Sequence, residues 1–204
     1  MSIIAFPGIS GCGKTTLSKL LAQHLNAVCC NEPEEPQWPE IITNKYYDQA
    51  SALLAFRQLW AQQFTNAYIL HQQHANVIVD NYFFKIYGYY LGKAHMEWLM
   101  PSNSPYLPLL KQLNALDRIY FCDADYVILI TVTLDNWKLF LQSRGREWDK
   151  TPGFEEAFAT TQQYVIDATR DHCASKNVPI IQFEHSFGNI EHQIHKLKEL
   201  LIFC

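Results

Sequence analysis

The chain reads as an α/β domain, a five-stranded parallel sheet with helices on both faces and a small lid, and three observations predict it. Five short apolar runs alternate with stretches of helical periodicity, the pattern of strands joined by crossover helices. The runs are near-continuous in Val and Ile rather than alternating, as in strands covered on both faces. A glycine-rich turn separates the first run from the first helical stretch. At 204 residues the length suits a single domain, 1–204.

Taken in order, Ile3 to Phe6 is a short strand cut by Pro7-Gly8, and Lys14 to Leu25 carries Leu17, Leu20, Leu21 and Leu25 at helical spacing. Ala27 to Cys30 predicts a second, brief, buried strand, followed by a loop over 31–40 with Pro33, Pro36 and Pro39. From Asp48 to Gln73 the residues Leu53, Phe56, Trp60, Phe64 and Ala67 recur at three- and four-residue steps, predicting a long helix. Arg57 is the one permanently charged residue between Asp48 and Asp80, so that helix is expected to be covered on most faces, at a subunit interface or beneath a ligand pocket. Asn76 to Asp80 is the third strand, with an aromatic helix expected from Tyr82. Pro101 to Pro108 reads as a loop, Leu109 to Phe121 as a helix, and Tyr126 to Leu134 as a nine-residue central strand. Helices over Asp135 to Ser143 and Phe154 to Cys173 flank the basic turn Arg144-Gly145-Arg146; a fifth strand, Val178 to Phe183, and a closing helix, Ile190 to Leu201, complete the domain.

Composition excludes several classes. With 16 Lys+Arg against 20 Asp+Glu there is no basic excess for nucleic acid. No stretch approaches the roughly 20 apolar residues of a membrane span, and the short apolar start lacks a basic flank, so neither a membrane nor a secretory signal is expected and the reading is cytoplasmic. Six cysteines with no CxxC pair suggest reduced thiols rather than disulfides or zinc. Hydrophobic residues at 49% against 18% charged leave apolar surface for another subunit to cover, which points to oligomerisation.

The sharpest signal is Gly8-Ile9-Ser10-Gly11-Cys12-Gly13-Lys14-Thr15-Thr16, which matches the phosphate-binding P-loop pattern at every fixed position. Gly8, Gly11 and Gly13 allow a tight turn whose N–H groups point inward at phosphate oxygens, and the helix that follows adds its positive end. Ser10 and Thr16 lie within that cradle, and Cys12 reads as a small filler. Lys14 is placed to bridge the β- and γ-phosphates and Thr15 to ligate Mg²⁺, so ATP with Mg²⁺ is the expected cofactor. A guanine-reading Asn-Lys-x-Asp is absent, since Asn44-Lys45-Tyr46-Tyr47-Asp48 has one residue too many, which argues against a switch GTPase.

Beyond the P-loop, Glu32-Pro33 follows the second strand with Trp38 six residues on, Asp80-Asn81-Tyr82 ends the third, and Arg144-Gly145-Arg146 follows the fourth strand and its helix. In these residues the chain resembles the deoxyribonucleoside kinases and the related thymidylate kinases, over most of its length. The resemblance implies transfer of the γ-phosphoryl of ATP to the 5′-hydroxyl of a deoxynucleoside, usually within a homodimer. It implies that Glu32 accepts the hydroxyl proton, that Asp80 lies near Mg²⁺, and that Arg144 and Arg146 belong to a lid over about 144–153. One of Gln62 and Gln63 would reach the base edge, and Trp38, Trp60, Phe64 and Tyr82 are candidates to wall the base.

The chain departs from the family where an arginine normally follows the strand-end acid, here Asn81, and beside the Glu-Pro, here Asn31. These missing charges favour a neutral nucleoside acceptor. A thymidylate or other nucleoside monophosphate kinase is the alternative, because Asp80-x-Tyr82 with Tyr89 fits the thymidylate kinase pattern and Lys85 offers one cation. A third reading is a nucleotide-binding regulatory protein with weakened catalysis.

Overall fold

The computed structural model describes residues 2–43, 48–73, 75–82, 102–145, 155 and 158–202. Its strands are β1 (Ile3–Ala5), β2 (Val28–Cys30), β3 (Val77–Val79), β4 (Tyr126–Thr131) and β5 (Ile180–Glu184), joined into one parallel sheet of order β2-β3-β1-β4-β5. The described helices are α1 (Lys14–Leu25), α2 (Glu40–Thr43), α3 (Gln49–Gln72), α4 (Leu107–Tyr120), α5 (Leu134–Arg144), α6 (Phe158–Lys176) and α7 (Ile190–Ile202).

The period-two geometry of a strand divides its side chains between two cores. Ile3 and Ala5, with Val77, Val79 and Val127, meet α3 through Leu53, Phe56, Trp60, Phe64 and Ala67. Ile4 and Ile78, with Ile128 and Ile130, meet α1 through Leu17 and Leu21, α5 through Trp137 and α7 through Ile194 and Leu197. In-register pairing of Ile3, Ile4 and Ala5 with Val77, Ile78 and Val79 fixes β1 against β3, and β4 closes its other side. The loop leaving β1 therefore opens at the middle of the sheet, beyond its carboxyl edge, where ligands bind in open α/β folds.

Several boundaries differ from the sequence reading, each for a local reason. The second strand lies at the sheet edge, with Val28 41% exposed, rather than buried. The nine-residue run from Tyr126 yields six strand residues, because the Thr133 side chain accepts from Asn136 N and caps α5. Helix α4 starts at Leu107 rather than Leu109, since Pro108 is tolerated in a first turn, where its missing N–H has no intrahelical role. The proline-rich loop contains a 3₁₀ turn, Glu35–Gln37, and leads into the short α2, neither foreseen. Helix α6 runs past Cys173 to Lys176 and stops where Asn177 takes a left-handed φ of 55°. Tyr82 is not helical, and the aromatic helix expected after it falls on 83–101, outside the described residues. Helix α3 is capped by Asp48, which accepts from Ser51 N, and it is less covered than expected, with Leu54, Tyr68 and Ile69 exposed. Among the described residues no helix is long and apolar enough to cross a membrane.

Candidate phosphate and acceptor site

The loop from Gly8 to Gly13 is shaped by what packs behind it. Gly11 and Gly13 both take φ 77°, a left-handed conformation that suits glycine. A Cβ on Gly11 would lie 2.4 Å from Leu141 Cδ2, and one on Gly13 would lie 2.8 Å from Phe140 Cε1 and from His185 Nε2. Gly8 is buried against Ile130 of β4. Helix α5 braces the loop further: Trp137 Nε1 donates to the Ser10 carbonyl at 2.9 Å, and Arg144 Nη1 to Ser10 Oγ at 3.4 Å. Behind Gly13 the His185 imidazole has a fixed tautomer. Gln193 directs Nε2 at the carbonyls of Ser186 and Gly188, so its Oε1 accepts from His185 Nδ1, and burial pushes the imidazole below its ordinary pKa.

Gly13 is the N-cap of α1 and brings no side chain to the amides of the first turn. Such amides have no intrahelical acceptor and carry the positive end of the helix dipole, so the turn is a ready anion cradle. Lys14 is buried and folds back into the turn, Nζ donating to the Ile9 carbonyl at 2.7 Å and lying 3.7 Å from Cys12 Sγ. Cys12 is fully buried, as a filler would be, and Thr16 is exposed on α1.

Asp80, just past β3 and 1% exposed, ties this cradle to the neighbouring strand ends. Its Oδ2 accepts from Thr15 Oγ1 at 2.9 Å, while Oδ1 accepts from Glu32 N at 2.6 Å and from Gln63 Nε2 at 3.0 Å. Gln63 also donates to the Cys30 carbonyl at 2.8 Å. One turn before Gln63 on α3, Trp60 Nε1 donates to Glu32 Oε1 at 2.9 Å and so aims the carboxylate. Trp60 stacks on Phe56, and Trp38 packs edge-on against Phe56 while donating to the Pro33 carbonyl, which folds the Glu-Pro loop onto α3. An open cleft of about 560 Å³ is lined by Lys19, Asn31, Glu32, Pro33, Glu34, Pro36 and Gln37.

The structure thus brings Lys14, Thr15, Glu32, Gln63 and Asp80 together, with Ser10 and Arg144 joined on the α5 side. It settles the register that the sequence left open: Gln63 faces Asp80 and Gln62 is exposed. Tyr82 is a correction. Its side chain is fully buried, the ring against Phe64 and His172 and the hydroxyl donating to Asp123 Oδ1 at 3.1 Å, so it is a core residue rather than a pocket wall. Burial pushes its phenol well above the ordinary range, so it stays protonated. Phe64 and Trp60 are likewise core, each 2% exposed. Arg146, Lys85, Tyr89 and the lid beyond residue 145 lie outside the described residues.

Sequence reasoning missed four contributors. Trp60 was read as an aromatic of the long helix and a candidate wall of the base, and nothing in the pattern says that its N–H meets Glu32. Lys19 stands one turn beyond Thr15 on α1, a spacing that puts both on neighbouring parts of one face. Trp137 and His185 support the loop across more than a hundred residues of sequence, a contact that only the packed sheet reveals.

The donor set suits a hard cation. A carboxylate oxygen and a hydroxyl meet at 2.9 Å beside a helix N-terminus, the oxygen ligands Mg²⁺ prefers, and among the described residues no group of three or more His, Cys, Asp or Glu is gathered as a metal site. Burial raises the Cys29 thiol to about 11 and raises Cys30 as well, which keeps both protonated near neutrality.

A phosphate loop after the first strand of a five-stranded parallel sheet, with an acid at the end of the adjacent strand, defines the P-loop kinase fold. Comparison with solved structures gives the same answer. Deoxyadenosine kinase from M. mycoides with dATP bound superposes with a TM-score of 0.71 at 16% identity, covering 98% of this chain and 99% of that one. The same enzyme with the products dCMP and a flexible dCDP gives 0.74 at 17%, covering 99% and 100%. Thymidylate kinase from Candida albicans gives 0.66 at 16%, covering 99% and 91%. No protein-family model matches the chain, and no curated protein matches it. The chain has the fold shared by these nucleoside and nucleotide kinases.

Proposed function

We propose that the protein is an ATP-dependent kinase that transfers the γ-phosphoryl of ATP to the 5′-hydroxyl of a deoxynucleoside. The observation that carries this reading is the Asp80 junction, where one carboxylate accepts from Thr15 at the phosphate cradle and from the backbone of Glu32 at the cleft. Donor and acceptor ends are then held by a single side chain, as an in-line transfer needs.

On this reading the loop from Gly8 to Thr16 cradles the phosphates, with Lys14 and Arg144 supplying positive charge and Arg146 a second lid guanidinium. Thr15 and Asp80 would hold Mg²⁺, which when bound neutralises charge on the phosphates. Glu32, aimed by Trp60, accepts the hydrogen bond of the attacking hydroxyl and then its proton. Trp38, packed against Phe56 and donating to the Pro33 carbonyl, holds the loop that carries Glu32 in place for the substrate. Because phosphoryl transfer passes through a loose transition state, this positioning matters more than the strength of the base. A homodimer is part of the proposal, supported by the apolar side chains Leu109, Leu116, Ile119 and Tyr120 that α4 exposes.

Lys19 on the cleft wall supports the rival acceptor, a nucleoside monophosphate, since it is a cation placed with Glu32. Incubation with γ-labelled ATP and a panel of deoxynucleosides and monophosphates separates the readings. Label on a nucleoside supports the proposal, label on a monophosphate alone replaces it with the rival, and label on neither leaves a nucleotide-binding protein without this chemistry.

A further inference from the structure

The peptide that joins Ser10 to Gly11, at the apex of the phosphate loop, is held from outside the loop. Trp137 Nε1 on α5 donates to the Ser10 carbonyl at 2.9 Å, and Arg144 Nη1, two turns further along that helix, donates to Ser10 Oγ at 3.4 Å. A Cβ on Gly11 would run into Leu141 of the same helix, so α5 covers this apex. The inside of the turn is marked by Lys14 Nζ, which donates to the Ile9 carbonyl and lies 3.7 Å from Cys12 Sγ, the two residues that flank the apex. The Ser10 carbonyl therefore points outward. Among the described residues no peptide bond is cis, and in a planar trans peptide the N–H points opposite to the carbonyl. The Gly11 N–H is thus turned away from α5, and it has no hydrogen-bond partner among the described residues.

A peptide next to glycine turns over readily, because glycine adopts either sign of φ at similar cost. Turned over, this one would offer an anion its carbonyl oxygen in place of its N–H, and an attraction would become a repulsion. The indole opposes that rotation and is itself locked in place. Trp137 is 3% exposed, its ring packs on Phe158 of α6 with centroids 4.9 Å apart, and its backbone N–H donates to the Thr133 carbonyl at the start of α5. We propose that Trp137 is a positioning residue for phosphate binding: it fixes the Ser10 carbonyl outward and so presets the Gly11 N–H toward a nucleotide phosphate. A donor set before the anion arrives needs no rearrangement when it binds. This rests on the phosphate-loop reading above.

The test titrates Mg²⁺-ATP, without an acceptor, into wild type and into Trp137→Phe, which keeps a ring against Phe158 and loses the indole N–H. The expected result is a dissociation constant about tenfold higher in the variant, the scale of one hydrogen bond to a charged group. A value within twofold of wild type overturns the inference and leaves the kinase reading intact, whereas no binding by wild type overturns both. Proton–nitrogen NMR correlation spectra add a readout that loosened packing alone does not move. In wild type the Gly11 amide proton shifts downfield as Mg²⁺-ATP is added, while the Trp137 indole proton holds its position. In Trp137→Phe the Gly11 shift is lost and those of the Gly13 and Lys14 amides remain; an equal Gly11 shift in both proteins overturns the inference. Should the variant not fold, the wild-type spectra decide. A downfield Gly11 shift with a steady indole supports the inference, and a Gly11 amide that stays still, or an indole proton that moves upfield, overturns it.

Discussion

Glu32 shows how a loop carboxylate becomes a placed one. Five of the ten residues from Asn31 to Glu40 are Glu or Gln, and in sequence nothing but position after a strand singles out Glu32. In the structure its amide donates to Asp80 and its side chain accepts from Trp60, so both its backbone and its carboxylate are fixed. Glu32→Gln keeps the shape and the Trp60 contact but removes the base. A fall in kcat of about 100-fold or more, with the KM for ATP little changed, is expected in steady-state assays; full activity would remove Glu32 from the mechanism. At the residue scale the sequence singled out Thr15 and Asp80, which the fold joins by a hydrogen bond, and Lys14 beside them, whereas Tyr82, an aromatic after that acid, is core.

At the scale of elements, the site is built where three helices meet the carboxyl edge of the sheet. Helix α1 brings its N-terminus, α3 brings Trp60 and Gln63 on one face, and α5 brings Trp137, Leu141 and Arg144. Trp60→Phe removes one hydrogen bond to a carboxylate, worth roughly 1.5–3 kcal/mol when the acceptor is charged. If that bond aims Glu32 for catalysis, kcat falls about tenfold with ATP binding unchanged; kcat within twofold of wild type would show that Glu32 is aimed by other contacts. Gly11→Ala tests the loop itself. The left-handed φ alone costs an L-residue about 1–2 kcal/mol, and the added Cβ displaces Leu141, so lower thermal stability together with weaker ATP binding is expected. Helical elements were legible because apolar spacing survives in sequence, as in α1, whose bounds were read correctly. The ends of β4 and α4 were not, because a capping hydroxyl at Thr133 and a first-turn proline at Pro108 outweigh the hydrophobic pattern there.

Across the whole molecule, a buried cluster ties the end of β3 to α6. Asp123 Oδ1 accepts from Tyr82 Oη at 3.1 Å and from His172 Nε2 at 2.6 Å, and Lys176 Nζ lies 3.3 Å from its Oδ2. Partial burial pushes the Asp123 carboxyl up, but the hydrogen bonds and charges of His172 and Lys176 outweigh it and hold the group below its ordinary value. A carboxyl whose folded pKa is depressed stabilises the fold above its unfolded value, about 3.9, and that stability is lost as pH falls through the folded value. Asp123→Asn should therefore cost roughly 1–3 kcal/mol in urea unfolding at pH 7. The gap from wild type should narrow as pH falls below about 4; a gap independent of pH would show that charge plays no part. The parallel sheet was legible from five apolar runs. This cluster was not, since it joins three distant segments whose polar residues, read singly, look like surface.

Every role proposed for the site requires the loop after β1 to bind a nucleotide through Lys14. Isothermal titration of Mg²⁺-ATP into wild type and Lys14→Met measures this directly, with circular dichroism confirming that the variant is folded. One ATP per chain bound by wild type and at least 100-fold weaker binding by the variant is the expected result. No binding by wild type, or equal affinity in the two proteins, would contradict it.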